Sequence, residues 1–194
     1  MTLVEEDEEG NFVEIESAST GGESAVPSDP DHLPPGFICP FVPTSYGRIQ
    51  AFLERCTDLS AKDVVFDLGC GDGRVLLKLA EQVGCRCVGV DIDSKLTAYA
   101  TAKSDEAALS ELCTWLCQDA RTTNLSTATV VVLYLIPSAL NQLSTFLWDA
   151  MKREGFRVVT FVYPLPWNLK EETAVQCNEL SAEYSIFEYR LKSV

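Results

Sequence analysis

Val64-Val65-Phe66-Asp67-Leu68-Gly69-Cys70-Gly71-Asp72-Gly73-Arg74 is followed, twenty residues after Gly71, by Asp91 within Val90-Asp91-Ile92-Asp93. Val64 to Phe66 are a short apolar run, which suits a strand buried on both faces of a parallel sheet. Gly69, Gly71 and Gly73 then turn the chain and let a ligand approach the backbone, since glycine carries no Cβ. Beyond Arg74, Val75, Leu76, Leu79 and Ala80 repeat at three- and four-residue steps and predict a helix over 73–83. Cys87 to Val90 reads as a second buried strand that delivers Asp91 to the carboxyl end of the sheet, where an acid can accept hydrogen bonds from both hydroxyls of a ribose.

Glycine spacing separates the ligands that such a unit holds. The dinucleotide fingerprint needs a third glycine where this chain has Arg74. The order here is Gly-x-Gly-x-Gly, preceded by Asp67, and it resembles the S-adenosyl-L-methionine (AdoMet) site of class I methyltransferases. AdoMet has an ammonium group and no pyrophosphate, so a carboxylate beside the turn attracts it, whereas the same carboxylate would repel a phosphate. The resemblance implies that Asp67 faces the methionine end and Asp91 the ribose. It also implies that Ile92 packs on the adenine and that Asp119, after the third strand, accepts from the adenine amino group.

Working outward, Ser45 can cap a helix bearing Ile49, Phe52, Leu53 and Cys56. Another helix is expected over 94–109, then a strand over 113–117 and a β-branched strand over 128–135. Ser138 is a candidate cap for a helix carrying Leu140, Leu143, Phe146, Leu147 and Met151. A strand over 157–163 and a closing pair over 174–178 and 184–191 complete the pattern. The expected fold is α/β: a Rossmann-like, doubly wound, mostly parallel sheet of about seven strands with a C-terminal antiparallel hairpin. Two segments are expected, an acidic tail without structure over 1–36 and a methyltransferase domain over 37–194.

Composition narrows the function. Residues 1–36 hold ten acids and no Lys or Arg, against a net charge of −14 for all 194 residues. The remainder is nearly balanced and offers no basic stripe, which argues against a nucleic-acid partner. No apolar run approaches the roughly 18 residues that span a bilayer, and the first residues carry no secretory or transit pattern. The eight cysteines read as reduced thiols, so a cytoplasmic protein is expected. Cys85-x-Cys87 and Cys113-x-x-x-Cys117 lack a Cys-x-x-Cys, and the single histidine, His32, lies in the tail, so no metal is expected.

A narrower resemblance rests on four segments in order: Pro40-Phe41-Val42-Pro43-Thr44, Asp67 to Arg74, Leu133-Tyr134-Leu135-Ile136-Pro137 and Tyr163-Pro164-Leu165-Pro166-Trp167. Together they resemble the small protein-lysine methyltransferases that modify the ATP synthase c-subunit and the adenine nucleotide translocase. Those enzymes carry a membrane or targeting segment where this chain has an acidic tail, so the cytoplasm is the expected location and the mitochondrion the alternative that the resemblance implies. The implied cofactor-binding residues are Pro43, Thr44, Asp67, Gly69, Cys70, Gly71, Gly73, Asp91, Ile92, Asp119, Ala120 and Leu133. Tyr134 is the candidate catalytic residue, and Tyr46, Tyr163 and Trp167 are further candidates to line an amine slot. The implied activity is methyl transfer to a lysine amine of a protein substrate. The alternatives are methylation of a small molecule or another protein group, and a non-catalytic partner-binding module of the same fold.

Overall fold

The computed structural model describes residues 3–6, 12–15, 33–56, 58–169 and 174–192, the first two segments as backbone only. Those two are strands, β1 (Leu3–Glu6) and β2 (Phe12–Ile15), paired antiparallel. Residues 3–6 and 12–15 of the tail, expected to lack structure, therefore pair as strands. Apart from residues 33–36, the rest of that segment lies outside the described residues.

The main body runs α1 (Tyr46–Arg55), β3 (Val64–Leu68), α2 (Arg74–Val83), β4 (Arg86–Asp91), α3 (Ser94–Glu106) and β5 (Cys113–Cys117). A short 3-10 turn (Ala120–Thr122), β6 (Val130–Leu133), α4 (Pro137–Ala150), β7 (Arg157–Phe161), β8 (Val175–Ser181) and β9 (Ile186–Leu191) follow. Seven strands form one sheet in the order β5-β4-β3-β6-β7-β9-β8. Neighbours from β5 to β7 pair in parallel, and β9 runs antiparallel to both β7 and β8. This is the expected doubly wound sheet with its closing hairpin.

Alternation along the strands explains why they read as unbroken apolar runs. Val64, Phe66 and Leu68 face a cluster with Leu140, Leu143 and Leu147 of α4. Val65 faces the opposite side, with Phe52 of α1 and Leu76 and Leu79 of α2. Both faces are covered, so the strands are mostly apolar on both. Ser45 caps α1 as expected, its hydroxyl accepting from the Arg48 N–H at 3.3 Å. Ser138 does not cap α4. Ile136 holds the cap position and Pro137 opens the helix, where its missing N–H costs nothing. Strand β6 is also shorter than its β-branched run, because Tyr134 and Leu135 leave the ladder to border a cleft.

Far from that cleft, Arg157 is buried at 6% exposure and ion-pairs with Asp58, Asp63 and Glu188, while Arg190 pairs with Asp58 and Glu188. Cys56, Asp58 and Glu188 have ligand atoms within 4.8 Å of one another, a metal-like spacing. Two guanidinium groups already neutralise both carboxylates, so the cluster stitches the end of α1 to β7 and β9. Replacing Arg157 with Met leaves Asp63 without its counter-charge and Asp58 and Glu188 with Arg190 alone, and is expected to cost about 3 kcal/mol in a urea titration. A loss under about 1 kcal/mol would show that the network adds little.

Candidate functional site

Strand order reverses between β3 and β6, and in open α/β sheets ligands bind beside the carboxyl ends of the strands at that point. A cleft with about 870 Å³ of empty space, including its open mouth, lies there. Its floor comes from the strand ends: Asp67 and the glycine turn after β3, Asp91 and Ile92 after β4, Asp119 and Ala120 after β5, and Tyr134 and Leu135 after β6. Its roof is the chain from Gly36 to Thr44. Gly36, one residue before the expected boundary, lines the cleft as well.

Glycine is required at Gly71 and Gly73 for two separate reasons each. Gly71 has φ +54° and Gly73 φ +81°, conformations that L side chains rarely adopt. A Cβ on Gly71 would lie 2.3 Å from the Phe41 ring of the roof. A Cβ on Gly73 would lie 2.5 Å from the Trp115 ring of β5. The turn is thus pressed between roof and sheet.

Asp91 holds the turn in place. One carboxylate oxygen accepts the Gly71 N–H at 2.8 Å and the other accepts the Asp93 N–H at 2.9 Å. Each oxygen keeps a second acceptor position, enough for two ribose hydroxyls. Burial moves its carboxyl above the usual carboxylate range, against the opposing pull of those backbone donors.

Asp67 is different in kind. It is 4% exposed, and its carboxyl accepts no side-chain hydrogen bond among the described residues. Burial, then the neighbouring charges of Asp91 and Asp72, push its pKa up to about 8. A buried acid without a donor is costly unless a cation comes to it. That is the site's clearest requirement, and an ammonium group meets it.

Asp72 and Arg74 also line the cleft, and the sequence reading missed both. Arg74 grips the Asp72 carboxylate with two nitrogens, at 2.9 and 2.7 Å, and its guanidinium lies 5.4 Å from the Tyr46 ring centroid. The signal available was the Asp-x-Arg pair inside the glycine turn. At the other end Asp119 is gripped by Arg121, at 3.0 and 2.6 Å, which holds its carboxyl below the usual range. Asp119 also caps the 3-10 turn by accepting the Arg121 N–H at 2.8 Å.

Most candidates come together around this cleft: Pro43, Thr44, Asp67, Gly69, Cys70, Asp91, Ile92, Asp119, Ala120 and Tyr134 line it. Gly71 and Gly73 back the turn without lining the cleft, and Leu133 does not reach it. Leu133 is fully buried in the α4-side core, because the alternation of β6 turns it away. Trp167 is likewise a core residue, packed against Trp148 and Tyr189 with its ring N–H donated to the Ser144 carbonyl at 3.2 Å. Tyr134 alone of the four aromatic slot candidates borders the cleft, 6.4 Å from the Phe161 ring and beneath the Arg48 guanidinium. Tyr46 is occupied by Arg74, and Tyr163 is exposed outside.

Comparison with known proteins agrees with this geometry. A protein-lysine N-methyltransferase of Saccharolobus islandicus (strain REY15A) is 30% identical over 139 residues, covering 71% of this chain and 85% of that protein. A lysine N-methyltransferase of the ATP synthase c-subunit, from Caenorhabditis elegans, is 28% identical over 138 residues, covering 68% and 70%. Among solved structures, an RNA methyltransferase from Salinibacter ruber in complex with S-adenosyl-L-homocysteine superposes with a TM-score of 0.65 at 30% identity, covering 76% of this chain and 91% of that one. No helix among the described residues is long and apolar enough to cross a membrane. Residues 67–172, from the buried acid through the cleft and beyond β7, match the ANTKMT methyltransferase domain, and the chain belongs to that methyltransferase family.

Proposed function

We propose that this chain transfers a methyl group from AdoMet to the side-chain amine of a lysine in a protein substrate. The observation that carries the reading is the unpaired, buried Asp67 carboxylate beside the glycine turn, with Asp91 across from it. Asp67 would hold the methionine ammonium, Asp91 the ribose, and Ile92, Asp119 and Ala120 the adenine end. When bound, AdoMet supplies an electrophilic methyl on a sulfonium.

The chain's own contribution is positioning and exclusion of water. Roof and turn enclose the cofactor end, while Tyr134, Leu135 and Phe161 border the other with mostly apolar surface. A lysine amine enters as an ammonium of pKa about 10.4 and must shed its proton to attack. Desolvation against those side chains lowers that pKa, as does the fixed positive charge of Arg48 stacked on Tyr134. The proton leaves to water, and no dedicated base is needed. The lysine-modifying relatives support the choice of acceptor. The Salinibacter protein is named for RNA, but residues 37–194 of this chain are nearly balanced in charge and offer no basic stripe for a polyanionic substrate.

The test is methyl-labelled AdoMet incubated with purified protein and cell lysate, then fractionated. A labelled protein band that maps to lysine, absent with Gly71→Arg, is the expected result. Label in RNA or in the small-molecule fraction would overturn the lysine assignment while leaving the cofactor site standing. AdoMet binding without any transfer would make the chain a non-catalytic module.

A further inference from the structure

The roof over the cleft, residues 36–44, is pinned at both ends by the same device. At the adenine end Arg121 grips the cleft acid Asp119 and also donates to the Gly36 carbonyl at 3.4 Å. Its other terminal nitrogen reaches Gln142 of α4 at 3.1 Å. At the methionine end Arg74 grips the cleft acid Asp72 and donates to the Thr44 carbonyl, also at 3.4 Å. Between the pins the strap fits closely. A Cβ on Gly36 would come within 2.9 Å of Ile92, and Phe41 lies on Gly71. Each arginine therefore joins one acid of the floor to one carbonyl of the roof.

We propose that Arg121 and Arg74 are positioning residues that latch this strap over the cofactor and so set how fast the product cofactor, S-adenosyl-L-homocysteine (AdoHcy), leaves. Neither touches a reacting atom. The strap covers part of the site by its backbone and by Phe41, so opening a latch widens the way out for an occupant. Both strap bonds are long, which suits contacts that must break on every turnover. Arg121 is the accessible one, with a side chain 40% exposed, so its truncation leaves the core intact. The proposal rests on the assignment of this cleft to AdoMet.

AdoHcy binding and release are measured on the full chain by calorimetry and by stopped-flow displacement, with chymotrypsin cleavage at Phe37 and Phe41 reporting the strap. Arg121→Ala is expected to release AdoHcy about tenfold faster, the equivalent of one or two lost hydrogen bonds. It should also lose the protection from cleavage that AdoHcy gives the wild type, with an unchanged urea midpoint. Arg121→Lys, which keeps the charge and a donor, should recover part of the slow release. Wild-type release and protection in Arg121→Ala would overturn the latch. A lowered urea midpoint with unchanged release would make Arg121 a structural residue and also overturn it. If wild-type protein binds no AdoHcy at all, the cofactor assignment itself falls.

Discussion

Gly71→Arg is expected to fold and to bind AdoMet at least a hundredfold more weakly than wild type, a loss of about 2.7 kcal/mol or more. Three costs converge on one atom. The left-handed conformation at φ +54° costs a side-chain residue about 1–2 kcal/mol. The new Cβ would also sit 2.3 Å from the Phe41 ring, so the roof must lift or the turn must shift. If the turn shifts, the Gly71 N–H leaves Asp91, and the acid expected to hold the ribose loses the bond that aims it. The core clusters on both faces of the sheet are untouched, so circular dichroism should report a folded chain. Calorimetry with AdoMet decides the matter, and affinity within a few-fold of wild type would refute the placement of the cofactor. Gly71→Ala, which adds the Cβ without the long side chain, should fall between the two.

That site was legible in the sequence where function depends on local spacing. The strand, glycine turn, helix, strand and acid of residues 64–91 are set by period and by glycine, and the structure has them within a residue or two. What escaped depends on where distant segments meet. Asp72 and Arg74 look like solvated charges until the roof arrives above them, and Arg121 acquires its long-range partners from residues 36 and 142. Leu133 and Trp167 were misplaced for the opposite reason. Both sit within segments that carry a family resemblance, but side-chain alternation and aromatic packing send them to the core. Leu133 is correct in address and wrong in facing. The cap of α4 shows the same limit at smaller scale, since Pro137 pre-sets the helix start and makes the serine after it redundant.

Asp67→Asn is expected to stabilise the ligand-free protein at pH 8 and to weaken AdoMet binding about tenfold or more. The two effects have one cause. In the folded protein burial first, and then Asp91 and Asp72, push the Asp67 pKa up to about 8, against an ordinary value of 3.8. Between those values the folded state binds a proton that the unfolded chain has released, so stability falls as pH rises through that window, by at most about 1.4 kcal/mol per unit. Below the ordinary value both states are protonated, and above about 8 both are charged; the slope vanishes at each end. Asn has the same shape and no charge, so urea midpoints for the variant should lose this component of the decline between pH 5 and pH 8. The wild type-minus-variant difference removes titrating groups that do not interact with Asp67; Asp91, whose carboxyl is also raised by burial, interacts with it and titrates with it as a pair. The ligand reverses the sign: an ammonium beside Asp67 favours the charged form, and the variant cannot answer it. A residue that harms the empty fold and helps the filled one is placed for binding. A variant that is less stable at pH 8, or that binds AdoMet as well as wild type, would show that Asp67 serves the fold and that the methionine end lies elsewhere.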